Sequence, residues 1–157
     1  MGLSNAFVGF SSTDIDDYRL MQAWRANNNI DLDFNDCQLN DALASENEEF
    51  IKTKCRERIN MADKYVMLIG KDTKSKHKYV QWEAEVAIEK GCTIICVNLD
   101  GSREMVRSTC PPVIRDMGAI FVAFSPRIVA HAIENYKMHD DYGNYYFKDE
   151  IYKKLGH

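Results

Sequence analysis

The sequence lacks most of the features that assign a protein's class at a glance. No apolar run approaches the ~20 residues needed to cross a bilayer, so no membrane association is expected. The opening MGLSNAFVGFSS has neither a basic flank nor a long apolar stretch, and a secretory leader is therefore not expected. It reads M-G-x-x-x-A, with Ala6 where a myristoylation signal carries Ser or Thr. There is no basic surplus: the formal net charge is −4, which argues against a general nucleic-acid binder. Neither a G-x-G-x-x-G nor a P-loop follows the first strand-like run, and no nucleophile elbow is present. The five cysteines, Cys37, Cys55, Cys92, Cys96 and Cys110, show no paired short spacing and no zinc pattern. Reduced thiols in a cytoplasmic protein follow, with no metal and no bound cofactor expected.

What is present is a globular composition, 45% hydrophobic and 28% charged over 157 residues, enough for one domain with a full core. Apolar runs alternate with helical periods. Residues 5–10 (NAFVGF) read as a strand. Thr13 offers a helix cap, with Asp16 as its capping-box acid. The helix that follows runs to about Ala26, with Ile15, Tyr18, Met21 and Trp24 or Arg25 tracking one side. Residues 30–34 (IDLDF) alternate as a half-exposed edge strand does, and residues 35–46 read as a polar loop. Ile51, Cys55 and Ile59 mark a second helix. The run 65–69 (YVMLI) is a buried strand, followed by a lysine-rich loop, 71–77. Further strands are expected at 93–99 and 119–124, and Ser125-Pro126 opens a last main helix. Fully apolar central strands beside one alternating edge imply a parallel sheet covered on both faces. The expected fold is a single doubly wound, flavodoxin-like α/β domain with a five-stranded parallel sheet in the order 2-1-3-4-5. Its core spans about residues 5–136, and residues 137–157 form a C-terminal extension whose structure, hairpin or helix, is left open.

The most informative stretch is 78–91 (KYVQWEAEVAIEKG). At roughly 100° per residue, Val80, Ala84, Ala87 and Ile88 share one arc of a helix, with Trp82 and Val86 extending it. Glu83 lies on that inward arc, whereas Gln81, Glu85 and Glu89 point away. An unpaired buried carboxylate is costly, so an inward Glu implies either a buried partner or a cleft with a chemical task. In an open α/β sheet, ligands sit outside the carboxyl ends of the strands near the point where strand order reverses. The loops after the first and second strands, 10–14 and 35–43, arrive there, as does the loop 71–77 with the start of the Glu83 helix. Phe10, Phe34 and Trp82 bring aromatic surface to the same region.

Three segments carry a family resemblance. Residues 7–19 (FVGFSSTDIDDYR) form a strand-loop-helix opening. Residues 65–91 (YVMLIGKDTKSKHKYVQWEAEVAIEKG) place an apolar strand, Gly, a Thr-containing loop and then Val-x-Trp-Glu-x-Glu at the start of a helix. Residues 93–100 (TIICVNLD) fit the next strand. Over about residues 5–136 the chain resembles the TIR-like domains of bacterial Thoeris-type antiphage systems, a branch of the TIR superfamily. The resemblance implies cleavage of NAD⁺ at the nicotinamide–ribose bond, by hydrolysis or by cyclisation to an ADP-ribose isomer. It also implies self-association and a downstream effector that senses the product. NAD⁺ would be substrate rather than cofactor. One Glu of this helix is essential in the family; counting back from IEKG it falls on Glu83, with Glu85 the alternative. Phe10, Ser11, Asp14, Asp36 and Trp82 are the implied substrate-side residues, and backbone amides at the helix start are the implied pyrophosphate contact.

The chain departs from the family in two places. Gly9 stands where many TIR domains have Ser, and residues 35–43 lack the Arg/Pro signature of eukaryotic signalling TIR domains, so an adaptor role through that loop is not expected. Structural readings stand beside the functional ones. Glu83 can be a paired structural acid, Asp14 a first-turn helix acid, Asp36 an Asx-turn residue and Trp82 a packing residue. The alternative function is a non-catalytic nucleotide-binding or self-associating module. A flavodoxin-like flavin carrier is a third.

Overall fold

A computed structural model describes residues 5–26, 35–36, 48–76, 78–138 and 142–156. Three apolar runs make the centre of its sheet. Strands β3 (Lys64–Ile69), β4 (Thr93–Asn98) and β5 (Ile120–Ala123) are buried over almost their whole length. A strand apolar on both faces must be covered on both. Along β3, Tyr65, Met67 and Ile69 enter one core layer and Val66 and Leu68 the other, the alternation a pleated strand imposes. The first layer holds helices α2 (Glu48–Asn60) and α4 (Lys78–Lys90) against the sheet. The second holds α1 (Ile15–Ala26) and α5 (Pro126–Asn135).

With β1 (Asn5–Gly9) and β2 (Asn35–Asp36), the strands run in the order β2-β1-β3-β4-β5-β6, and every pair is parallel. The first five follow the expected order 2-1-3-4-5. The sixth, β6 (Tyr145–Tyr146), comes from the C-terminal extension and pairs with Ile120 and Phe121 of β5.

The predicted edge strand at 30–34 lies outside the described residues. Elsewhere the elements differ from expectation in three places. Asn35 and Asp36, assigned to a loop, pair with Asn5 and Ala6; an edge ladder is made by backbone groups and tolerates polar side chains. The cap of the first helical segment is Ser11, not Thr13. Its hydroxyl accepts the Thr13 N–H at 3.3 Å, and a 3₁₀ turn over Ser12–Asp14 leads into α1. Within the lysine-rich loop, Thr73–Lys76 forms a single helical turn, α3. Its origin is Thr73, which is buried: Oγ1 accepts the Gly70 N–H at 2.9 Å and donates to the Leu68 carbonyl at 3.4 Å.

Residues after 136 are built into the domain. Helix α6 (Asp149–Lys154) buries Tyr152, whose hydroxyl accepts the Ala123 N–H at 3.1 Å. Arg103 lies over the Tyr152 ring, 4.1 Å from its centroid, and pairs with Asp149 at 3.3 Å. The expected C-terminal glycine cap of α4 is present. Gly91 has φ of 82°, the Cys92 N–H reaches the Ala87 carbonyl and the Gly91 N–H the Ile88 carbonyl. That is a Schellman closure, for which a left-handed Gly is suited. Among the described residues no helix is long and apolar enough to cross a membrane.

Candidate active site

Strand order reverses between β1 and β3, which lie side by side while their following helices, α1 and α4, cover opposite faces. The carboxyl ends of these two strands form the mouth where such sheets bind ligands. Each ends in a glycine that makes room for an acid.

At the end of β1, a Cβ added to Gly9 would strike the Tyr65 hydroxyl and stand 2.7 Å from Glu83 Oε2. Three elements thus converge on one point: β1 supplies the space, β3 the phenol and α4 the carboxyl. The Tyr65 hydroxyl donates to Glu83 Oε2 at 3.4 Å. Tyr65 is fully buried, and its ring lies nearly parallel to that of Phe7 at 6.1 Å. Glu83 is 8% exposed, in a layer otherwise lined by Val80, Ala84 and Ala87. Burial among these groups pushes its carboxyl from 4.5 up to about 8, against the smaller opposing effect of the Tyr65 hydrogen bond. Desolvation penalises the ionised form and outweighs a single long hydrogen bond. Glu85 is exposed and takes a 3.1 Å hydrogen bond from Gln81 on the outer face. The helix therefore separates the two acids as the wheel predicts.

At the end of β3, Gly70 meets Asp14. A Cβ there would lie 2.5 Å from Asp14 Oδ2 and 2.7 Å from Oδ1. Asp14 thus reaches from the loop after β1 to the loop after β3, which Thr73 holds closed. The other candidates are distributed differently. Ser11 is fully buried, and its hydroxyl serves its own turn, 2.7 Å from Thr13 Oγ1. Phe10 stacks on Tyr18 at 4.4 Å in the layer of α1, across the sheet from Glu83. Trp82 is half-buried on α4, beside Glu83 in sequence. The backbone of Asp36 pairs with Ala6 in β2, while Phe34 lies outside the described residues.

Residues 7–104 match the family described as Thoeris protein ThsB, TIR-like domain. The chain belongs to that family. The matched segment of this TIR-like domain contains Gly9, Asp14, Tyr65, Gly70 and Glu83, and stops short of β5 and the extension. Among curated proteins no match to the sequence is found. Of the solved structures, a CMP N-glycosidase of Clostridium botulinum is similar at 11% identity and a TM-score of 0.41, over 63% of this chain and 75% of that one.

Tyr65, whose hydroxyl touches Glu83, is not among the residues that the sequence pattern singles out. Two signals were available: a tyrosine opening a buried strand needs a partner for its hydroxyl, and a glycine inside a strand marks a close approach. Among the described residues there is no cluster of three or more His, Cys, Asp or Glu that could hold a metal ion. A cleft of about 410 Å³ beside the extension, lined by Arg103, Glu104 and residues 146–150, includes none of the residues above.

Proposed function

We propose that this TIR-like domain cleaves NAD⁺ at the nicotinamide–ribose bond, with Glu83 as the catalytic acid residue. The observation that carries the reading is the buried Glu83 carboxyl at the carboxyl end of β1, shielded from water and lacking a cationic partner among the described residues. A structural acid at such a position would be expected in an ion pair. Family membership supports the same reading.

The chemistry asks little more than one such group. The C1′–N1 bond breaks with its electron pair passing to the nicotinamide nitrogen, which turns a pyridinium cation into a neutral leaving group. No proton need be delivered to it, so the second acid of a glycosidase pair is unnecessary. Positive charge moves onto the ribose as an oxocarbenium ion, and an ionised Glu83 stabilises that charge in a site where it is weakly screened. Water attack at C1′ with loss of a proton gives ADP-ribose; attack by a nucleophilic atom of the same molecule gives a cyclic isomer. Ionisation of Glu83 is favoured by the positively charged nicotinamide ring itself, since an opposite charge nearby lowers a carboxyl pKa.

The test is chromatography of NAD⁺ incubated at high protein concentration with the wild type, Glu83→Gln and Glu85→Gln. Nicotinamide release is expected from the wild type and from Glu85→Gln, and at least a hundredfold less from Glu83→Gln, as for loss of a principal charge-stabilising group (on the order of 10²–10³). Undiminished release by Glu83→Gln would remove Glu83 from the mechanism. No turnover by any of the three, with NAD⁺ bound tightly, would instead identify a binding module.

A further inference from the structure

We propose that Tyr65 positions Glu83 for reaction, holding one carboxyl oxygen from the space that Gly9 leaves open. The inference rests on the NAD⁺-cleaving reading for its catalytic consequence and on geometry for the contact itself. Tyr65 is fixed by the sheet: it pairs with Phe7 of β1 and Ile94 of β4 and is fully buried. Its hydroxyl position is therefore set by strand register rather than by a mobile side chain. Glu83 has a flexible stem on a helix, and the Tyr65 contact is its one side-chain hydrogen bond among the described residues. Oε2 is the oxygen engaged.

Gly9 completes the device. Any side chain there would occupy the place of the hydroxyl and crowd Oε2 at 2.7 Å, so the absence of a Cβ is a condition for the contact. The 3.4 Å separation is long for an O–H···O bond; such catalytic contacts commonly tighten when substrate binds. Two cations, one on α2 and one on α4 itself, are engaged away from Glu83. Arg56 of α2 pairs with Glu89 at 3.5 Å, and Lys90 donates to the Ile59 and Ala62 carbonyls at 2.7 and 2.5 Å. Removing the hydroxyl would free the carboxyl to rotate and take away the interaction that lowers its pKa.

Tyr65→Phe keeps the ring and the core volume while deleting the hydroxyl. Carbon-13 NMR of Glu-labelled protein, assigned by the signal lost in Glu83→Gln, follows the carboxyl without substrate. The wild-type midpoint near 8 should move upward by about half a pH unit or more in Tyr65→Phe. Turnover of NAD⁺ should fall roughly tenfold in kcat, with KM changed by less than about twofold. Tyr142→Phe, at an exposed position, should alter neither. An unmoved midpoint would overturn the contact, and a moved midpoint with unchanged kcat would overturn its role in the reaction. If the wild type does not cleave NAD⁺ at all, the proposed function fails, and the titration alone decides whether Tyr65 governs Glu83.

Discussion

Replacing Glu83 by Gln should make the protein more stable, and increasingly so as the pH rises. Glutamine has the shape of the protonated acid and can still accept from the Tyr65 hydroxyl, but it cannot ionise. The wild-type carboxyl has a folded pKa near 8 against an ordinary value of 4.5. Below the lower value it is protonated in both states and imposes no penalty. Between the two values the unfolded chain loses its proton while the folded chain keeps it, so folded stability falls with pH. The slope is at most about 1.36 kcal/mol per pH unit, and above the folded pKa the loss is complete. The full interval sets a ceiling of about 5 kcal/mol; relaxation and water entry around a buried ion reduce the realised figure to about 2–4 kcal/mol. In a chain of this size that is on the order of 5–15 °C in Tm. The assay is denaturant unfolding of wild type and Glu83→Gln at intervals from pH 4.5 to pH 8.5. The difference between the two proteins isolates Glu83, because the other titrating groups are common to both. A stability difference that stays flat over this range, or shrinks as pH rises, would refute the burial argument.

Two further outcomes follow from the same geometry. For the proposed reaction, kcat/KM should rise with pH toward a plateau above about 8, because it reports the free enzyme's essential group and Glu83 must lose its proton there; a profile flat from pH 6 to pH 9 would contradict this. Gly70→Ala should cost about 1–3 kcal/mol as an overpacking substitution, because the new methyl meets both Asp14 oxygens. Adding Asp14→Ala should return part of that loss in denaturant unfolding, and strict additivity of the two would count against the close approach.

Much of the fold was legible because its strands are apolar runs too short and too continuous to be anything else. Residues 65–69 and 93–98 announce buried strands, and Ser125-Pro126 announces a helix start. The separation of Glu83 from Glu85 was legible too, because a helical wheel needs no tertiary information. Tyr65 is different: its importance depends on the register that places it beside Phe7 and on the helix that carries Glu83 over Gly9. Neither follows from local periodicity. Gly9 looks like a departure from a family pattern, and its physical reason is tertiary: the Tyr65 hydroxyl and the Glu83 carboxyl crowd the place a Cβ would take. The alternation of Phe7 and Gly9 against Val8 and Phe10 does foretell that Phe10 faces the α1 layer, had strand parity been carried one residue past the strand end. The extension was illegible because a two-residue strand and a six-residue helix carry too little pattern, and Tyr152 is held through a backbone hydrogen bond at Ala123.

The raised pKa bears directly on how the proposed substrate would bind. A neutral Glu83 makes the free site at neutral pH a poor electrostatic trap for a cation, yet the ionised form is the one the reaction uses. Linkage resolves the conflict: a ligand whose charge favours the ionised acid must expel the proton, and the ionised acid must in turn bind that ligand more tightly. NAD⁺ carries its positive charge on the nicotinamide ring, whereas NADH does not. On the proposed function, NAD⁺ should therefore bind Glu83→Gln less tightly than wild type at pH 8.5 and should release protons on binding to the wild type near pH 7. NADH should show neither effect. Calorimetry in buffers of different ionisation enthalpy measures the proton release, and equal proton uptake or release for the two nucleotides would dissociate Glu83 from the nicotinamide.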